Sequence, residues 1–256
     1  MTALTMPPTL LPPDISPGNN KLGALYNWSI PAILSCPGKS TLCEDLCYAS
    51  RSFYYTSSVR DKLFSNWAMA RSALFARWMI EKIRRYKVRV LRVHVAGDFF
   101  SADYATAWGE VFAACPQTRF FYYTRSWRDP AIRMAMEAAA RPNVRVWYST
   151  DAETGKPAGL GRSRIRLAYM LTQGEERPAF DVDLVFRDES YRSGQRIKRV
   201  AGRLVCPAEQ HENQHARCDT CRICFDDERA HLLQRTAFES RPGGRTALPV
   251  FQENVA

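Results

Sequence analysis

Three runs of β-branched and aromatic residues, each followed by polar residues and then by a helical pattern, constrain the fold of this chain most strongly. The runs cover residues 88–95, 119–124 and 144–149, and such strands begin about every 25–30 residues. A helix between two strands returns the chain to the same end of the sheet, so that successive strands run parallel. We therefore expect an α/β fold of right-handed βα units, forming a partial (β/α) barrel with parallel strands.

The intervals between these runs carry helical signals. Apolar residues at three- and four-residue spacing predict one long amphipathic helix over residues 59–86. Ser101 is expected to cap a second helix, and Asp129 followed by Pro130 to begin a third. Further short strands are predicted within residues 25–35, 165–171 and 182–186.

Polar residues gather where the predicted strands end. The carboxyl ends of parallel strands share one edge of a sheet, and α/β proteins bind ligands at that edge. The residues in question are Cys36, Gly97, Asp98, Thr124, Arg125, Ser126, Ser149, Thr150 and Asp151.

Four side chains at or beside these strand ends are candidates to line a pocket, namely His94, Tyr123, Arg125 and Trp127. Arg125 suits either a substrate carboxylate or phosphate, or a surface ion pair. His94 lies within an apolar run, which is more typical of a hydrogen-bonded core histidine than of a ligand.

The length of 256 residues suits one main domain with a small appendage. We predict a flexible Pro-rich arm at residues 1–24, a partial α/β barrel at 25–204, and a Cys-rich metal-binding segment with a tail at 205–256. No basic start followed by an apolar run opens the chain, and no apolar run reaches the roughly 18–20 residues that span a bilayer. The expected location is therefore the cytoplasm, without a membrane partner.

Seven of the eight cysteines form two groups near opposite ends of the chain. In a reducing cytosol, clustered cysteines at short spacing are more often metal ligands than disulfides. The eighth, Cys115, falls on the apolar face of a predicted helix and is expected to be a buried hydrophobe.

The first group, Cys36, Cys43 and Cys47, has the spacing C-x6-C-x3-C on a loop that is expected to lack regular structure. Three thiolates hold a 4Fe–4S cluster with one open iron position, whereas zinc usually takes a fourth protein ligand. We predict a 4Fe–4S cluster here. The alternative is a structural zinc or cluster completed by a distant ligand such as Cys115 or His94.

The second group has four thiols with the spacing C-x11-C-x2-C-x2-C, enough to close a tetrahedral zinc site or to hold a 4Fe–4S cluster fully. Its members are Cys206, Cys218, Cys221 and Cys224. The compact C-x2-C-x2-C part is typical of ferredoxin-like sites, which favours a second 4Fe–4S cluster over zinc, and His211 and His215 are alternative ligands.

The net charge of +10 comes almost wholly from arginine, with 29 arginines against 7 lysines. Guanidinium groups suit phosphate recognition, so a nucleic acid or nucleotide partner is one interpretation. The other is a solvated surface, because acidic residues are interleaved with the basic ones throughout.

A strand, a three-cysteine loop, a helix, and then repeated βα units with a small-Gly-acid step after the second strand resemble the radical S-adenosylmethionine superfamily. The resemblance implies that Cys36, Cys43 and Cys47 ligate the cluster and that its open iron binds S-adenosylmethionine, which is cleaved reductively to a radical. It further implies cofactor contacts for Gly97 and Asp98 near the methionine amino group, and for Ser149 and Asp151 near the ribose. The cysteine spacing is longer than the C-x3-C-x2-C of that superfamily.

A second resemblance, to the phage- and plasmid-borne gene product eighty-eight type proteins, spans about residues 25–230. It is carried by the stretches CPGKSTLCEDLCYA, HVAGDFFS, YYTRSW, STDAETGKP and CDTCRICF. This resemblance implies a mobile-element setting and brings no established activity with it.

Two principal hypotheses follow from these observations. The first is an iron–sulfur enzyme of radical S-adenosylmethionine type, served by an electron donor and acting on an unknown substrate of a phage or plasmid pathway. The second is a non-catalytic, metal-stabilised nucleic-acid-binding protein in which both cysteine groups are structural. A third possibility is an accessory subunit whose clusters only carry electrons.

Overall fold

A computed structural model describes residues 12–50, 56–160, 165–188, 197–209 and 216–233. Its centre is an eight-stranded sheet with the order β1-β2-β3-β4-β5-β6-β8-β7. The strands are β1 (Tyr26–Trp28), β2 (Val90–Val93), β3 (Arg119–Thr124), β4 (Val144–Thr150), β5 (Arg166–Leu171), β6 (Leu184–Arg187), β7 (Arg199–Val200) and β8 (Arg203–Val205).

The first six strands lie side by side in chain order, and each pairs in parallel with the next. Strand β8 extends the parallel sheet beside β6, and only β7 is antiparallel, as a hairpin on β8. The expected α/β class and parallel sheet are thus confirmed. The sheet is open, because β1 and β7 remain its two edges and do not pair with each other.

The helices are α1 (Thr41–Asp45), α2 (Ser57–Ala70), α3 (Phe75–Arg85), α4 (Ala102–Ala114), α5 (Pro130–Ala138) and α6 (Cys218–Cys221). The predicted caps are confirmed. Ser101 accepts a hydrogen bond from the Tyr104 N–H at 3.2 Å, and Asp129 accepts from the Ala131 and Ile132 N–H groups at the start of α5.

Two local predictions are wrong. The single helix over residues 59–86 is divided into α2 and α3, because the Ser72 hydroxyl accepts the Leu74 N–H at 3.1 Å and offers the backbone an alternative to the helical pattern. The first cysteine loop is not wholly irregular, because Ser40 caps α1 by accepting the Cys43 N–H at 3.0 Å.

The two faces of the sheet bury different partners, as the alternation of side chains along a strand requires. On the first face, residues such as Leu91, Val93 and Tyr122 pack into the main core with α3, α4 and α5. On the second face, Phe121 and Trp147 pack against residues of the segment 218–233. Within the described ranges, no helix is long and apolar enough to cross a membrane.

Candidate metal centres

The first cysteine group lies on the connection that follows β1, above the carboxyl edge of the sheet. The pKa of the Cys36 thiol is raised, first of all by burial and then by the charge of Asp98. Cys43 and Cys47 add smaller effects in the same direction, so they lie near Cys36. Burial also raises the pKa of Cys43, which Arg125 opposes and Cys47 reinforces. These interactions place Cys43, Cys47 and Asp98 in the surroundings of Cys36, and the ligation of a cluster by the three thiols stays a prediction.

Helix α1 is held onto the sheet edge by a buried polar network. The Asp151 carboxylate, which is fully buried, accepts hydrogen bonds from the Ser40 hydroxyl at 2.5 Å and from the Arg125 guanidinium at 2.6 Å. Burial by itself would raise the pKa of Asp151, but Arg125, Ser40 and two backbone N–H groups hold it below its ordinary range. Arg125 therefore forms a buried ion pair, rather than the surface pair considered from the sequence.

The same loop approaches the end of β3 so closely that one position requires glycine. A Cβ atom on Gly38 would lie 1.9 Å from the carbonyl oxygen of Arg125. Arg128 donates to the carbonyl oxygens of Gly38 at 3.1 Å and of Lys39 at 2.9 Å. The cysteine loop is thus packed against the ends of β3 and β4 by backbone and side chains together.

The Gly97–Asp98 step after β2 brings its backbone against the first turn of the cysteine connection. Gly97 has φ +82°, and a Cβ atom there would lie 2.4 Å from Cγ1 of Ile30 and 2.7 Å from Oγ of Ser35. The Asp98 carboxylate accepts four hydrogen bonds, from the Thr124 hydroxyl and from the N–H groups of Phe99, Arg125 and Ser126. Asp98 therefore ties the end of β2 to the end of β3.

The remaining strand-end candidates have different surroundings. The Ser149 carbonyl oxygen accepts the Trp127 indole N–H at 2.9 Å, and its partly exposed side chain shares the second face of the sheet with Trp147. His94 is 2% exposed and its Nε2 lies 3.0 Å from the Tyr104 hydroxyl, which confirms the core interpretation. Cys115 is buried at the end of α4, as predicted.

The second cysteine group surrounds a small cavity on the second face of the sheet. Cys206 follows β8, and the other three thiols belong to α6 and the turn after it. Arg222, with φ +61°, ends α6 in the left-handed conformation and turns the chain between Cys221 and Cys224. All four cysteines line the cavity, whose volume of about 20 Å³ has room for roughly one water-sized sphere.

The sheet holds Cys224 directly. The Tyr123 hydroxyl donates to the Cys224 sulfur at 2.8 Å, and the Trp147 indole N–H donates to the Cys224 carbonyl oxygen at 2.9 Å. Burial is the largest cause that raises the pKa of Cys224, and it also raises the pKa of Cys206 to about 12. Burial therefore favours the protonated form of both thiols.

Two consecutive aspartates bind the cysteine segment to arginines of the strands. Asp227 forms ion pairs with Arg145 of β4 and with Arg166 of β5, the latter at 3.5 Å. Asp226 pairs with Arg119 at the start of β3, also at 3.5 Å. The strand arginines thus face carboxylates of the protein itself.

Residues before β1 also contact the segment 218–233, in addition to the strand arginines. The Cys218 N–H donates to the Lys21 carbonyl oxygen at 2.9 Å, and the Asp219 carboxylate accepts the Ala24 N–H at 2.8 Å. Lys21 also lowers the pKa of Cys206, against the dominant effect of burial. The alternative ligands His211 and His215 lie outside the described residues.

Neither group is a preformed site for a metal ion. Among the residues that the structure describes, no group of three or more His, Cys, Asp or Glu side chains has the geometry to hold a metal ion. The donor chemistry nevertheless fits a thiophilic metal at both groups, because each gathers neighbouring thiols and places a cation beside them, Arg125 at the first and Lys21 at the second. A 4Fe–4S cluster also spreads its thiolates about 6–7 Å apart, farther than one ion does.

Fold and site together define an open, mostly parallel α/β protein with one thiol group at the carboxyl edge of its sheet and another on the face opposite α3, α4 and α5. The chain belongs to the Gene product 88 family, whose match covers residues 13–227. It is 27% identical over 169 residues to the Gene 88 protein of Mycobacterium phage L5, which covers 60% of this chain and 70% of that protein. The Gene 88 protein of Mycobacterium phage D29 is 26% identical over 176 residues, covering 63% and 72% respectively. No solved structure shows a significant match.

Sequence reasoning missed several residues that hold these groups. Ser40 and Asp227 are close to cysteines in sequence, whereas Lys21 is far from Cys206, on which it acts; all three are recognisable only through partners elsewhere in the chain. Arg92, on β2, gave no signal beyond the general excess of arginine.

Proposed function

We propose that the protein is an iron–sulfur enzyme of radical S-adenosylmethionine type that starts radical chemistry on a substrate of a phage or plasmid pathway. The proposal is supported by the surroundings of Cys36, whose pKa is raised by Asp98, Cys43 and Cys47 as well as by burial, next to a sheet of six sequential parallel strands. When bound there, a 4Fe–4S cluster supplies an open iron for S-adenosylmethionine and the electron that cleaves it. The electron comes to the protein from a separate donor.

The residues of the chain position the thiols. Ser40 fixes the start of α1, and hence Cys43, through Asp151 and Arg125. The positive charge of Arg125 lies close enough to lower the pKa of Cys43, which favours the thiolate that iron requires. The open sheet with strands in chain order supports the partial-barrel arrangement, with the loop over its mouth.

Gly97, Asp98, Ser149 and Asp151 are the proposed contacts of S-adenosylmethionine. Both carboxylates already accept four hydrogen bonds each from the protein. The two carboxylates would therefore act on the ligand through their charge and by holding the strand ends in place. The direct contacts would come from the Gly97 backbone and from Ser149, which is partly exposed.

The second group is proposed to hold a closed metal centre with a supporting role. Four thiolates leave no open position, so this centre either relays electrons or joins the cysteine segment to the sheet. The donor spacing favours a 4Fe–4S cluster, whereas the small cavity has room for a single ion such as zinc.

Anaerobic reconstitution with iron and sulfide tests the proposal. We expect about three to four iron atoms bound at the first cysteine group of each protein molecule, together with a visible absorption band. Addition of dithionite and S-adenosylmethionine should then produce 5′-deoxyadenosine. Cys47→Ala should abolish 5′-deoxyadenosine, whereas the matched control Cys115→Ala should retain it, because Cys115 is buried apart from both groups. Zinc as the only metal, with no 5′-deoxyadenosine, would show the proposal to be wrong.

The nucleic-acid alternative receives no specific support from the described residues. It predicted a contiguous face of arginines available to phosphates. Arg119, Arg145 and Arg166 instead pair with Asp226 and Asp227. The alternative therefore depends on the net charge alone.

A further inference from the structure

Arg92 is a charged residue in the middle of β2. Its neighbours Leu91 and Val93 are fully buried in the main core, so alternation places Arg92 on the second face of the sheet. Its Nε atom is buried and has no hydrogen-bond partner among the described residues. The residue as a whole is half-buried, and a cation that is partly removed from water is stabilised by an opposite charge or a π system beside it.

The surroundings of Arg92 connect it to the second cysteine group. Its guanidinium lies over the ring of Tyr123, with 5.5 Å between Cζ and the ring centroid. The Tyr123 hydroxyl in turn donates to the Cys224 sulfur at 2.8 Å. Tyr123 thus connects the Arg92 guanidinium to the Cys224 thiol; burial acts to lower the pKa of Arg92, and Tyr48, Cys218, Tyr123 and Cys224 raise it overall.

Charge balance gives this placement a physical reason. A divalent ion or an oxidised 4Fe–4S core with four thiolates carries a double negative charge, and burying such a charge requires nearby cations. Lys21 is one such cation, beside Cys206. The other charges near the group include Glu209, which acts on Cys206 and pairs with Arg187, and Arg229, which acts on Cys221. Arg92 supplies a cation on the Cys218 and Cys224 side.

We propose that Arg92 is a positioning residue for a four-thiolate metal centre at Cys206, Cys218, Cys221 and Cys224, where its guanidinium balances the charge of the metal-bound thiolates. The inference rests on the proposed metal at this group. It explains why an arginine occupies a strand whose other side packs into the main core, and why its Nε faces no partner in the described chain.

Titration of the full-length apoprotein with Co²⁺ under anaerobic, reducing conditions tests this role. Thiolate-to-cobalt absorption reports binding, and the part of the signal that Cys224→Ser removes belongs to the second group. Arg92→Gln should weaken that part of the binding by about 10–100-fold, as loss of a second-shell partner does. Arg89→Gln is the matched control: Arg89 is exposed and lies just before the same strand, so its loss should leave the affinity unchanged.

The outcomes separate this inference from the proposed function. If the wild-type protein shows no Cys224-dependent signal, the second metal centre is wrong and Arg92 has no thiolates to balance. If the signal is present but Arg92→Gln and Arg89→Gln bind Co²⁺ equally, the centre stands and the role of Arg92 is overturned. Circular dichroism checks that each variant is folded. If Arg92→Gln does not fold, Arg92→Lys is measured instead. Because lysine keeps the positive charge, its Co²⁺ affinity should fall by less than tenfold, and a larger fall overturns the proposal.

Discussion

Replacing Asp151 by asparagine should release the first cysteine loop from the sheet edge. The change keeps the shape of the side chain and one acceptor oxygen, which can still accept the Glu153 and Thr154 N–H groups. It replaces the oxygen that accepts from the Ser40 hydroxyl and the Arg125 guanidinium by an amide that donates. The Arg125 charge, with a side chain only 8% exposed, is then left unpaired.

The magnitude follows from these lost contacts. Two hydrogen bonds to a charged acceptor contribute about 1.5–3 kcal/mol each, and leaving a buried charge without its partner costs about 3–5 kcal/mol in all. We therefore expect Asp151→Asn to lower the free energy of unfolding by about 3–5 kcal/mol. The control Glu153→Gln should cost less than about 1 kcal/mol, because Glu153 is exposed and its amide still accepts the Thr41 N–H.

Urea unfolding of the full chain, followed by circular dichroism, measures both variants. A thiol-reactive probe supplies a second observable, because loosening of Ser40 should expose Cys43. The pKa of Asp151 is held below the ordinary Asp value of about 3.9, so its stabilisation is complete above that pH and is lost as pH falls through the lowered pKa. The acid side of the stability profile should therefore be flatter in Asp151→Asn.

A double-mutant cycle with Arg125→Met isolates the ion pair. Removing both partners also removes the unpaired charge, so the double variant should be more stable than the sum of the single losses predicts, by at least about 1.5 kcal/mol. An Asp151→Asn variant within about 1 kcal/mol of wild type, with unchanged thiol reactivity, would refute this account of the loop.

Two further substitutions test the edge and the second face. Gly97→Ala should lower the free energy of unfolding by about 2–4 kcal/mol, because the new Cβ atom would clash with Ile30 and alanine disfavours the left-handed backbone conformation at this position. Gly155→Ala is the control, because Gly155 also has a positive φ but a Cβ atom there meets nothing within 4 Å. Urea unfolding of both variants separates the steric clash from the backbone cost, and equal losses of stability would show that the clash with Ile30 has no effect. Tyr123→Phe removes the donor to the Cys224 sulfur and should cost about 0.5–1.5 kcal/mol in the same assay. A wild-type midpoint would argue that this hydrogen bond is not formed.

The sequence predicted those elements whose local pattern agrees with their tertiary surroundings. The strand predicted at residues 119–124 has the same bounds as β3 in the structure. Its aromatic residues occupy both faces of the strand, as is typical of a strand buried on both sides. The caps at Ser101 and Asp129 were predictable because they are local hydrogen bonds. The break between α2 and α3 was not, because Ser72 fits a helical pattern and competes with it only through its hydroxyl.

The candidate sites divide in the same way. That Asp98 lies near Cys36 was predictable, since parallel strands bring their carboxyl ends to one edge, while ligation of a metal by Cys36, Cys43 and Cys47 stays a prediction. The docking of Cys224 against Tyr123 joins positions 101 residues apart in the chain. No local pattern encodes such a contact.

By itself, the sequence determined the α/β class, the parallel strands, the starts of α4 and α5 and the spacing of the two thiol groups, because these depend on residue type and on spacing along the chain. Only the tertiary structure decided that the sheet stays open, that Asp151 and Arg125 clamp the first loop, and that Tyr123 contacts both Arg92 and Cys224 on the face opposite α3, α4 and α5. The physical reason is that charge pairing and burial depend on distances in space, and the chain brings these groups together only after the sheet has formed.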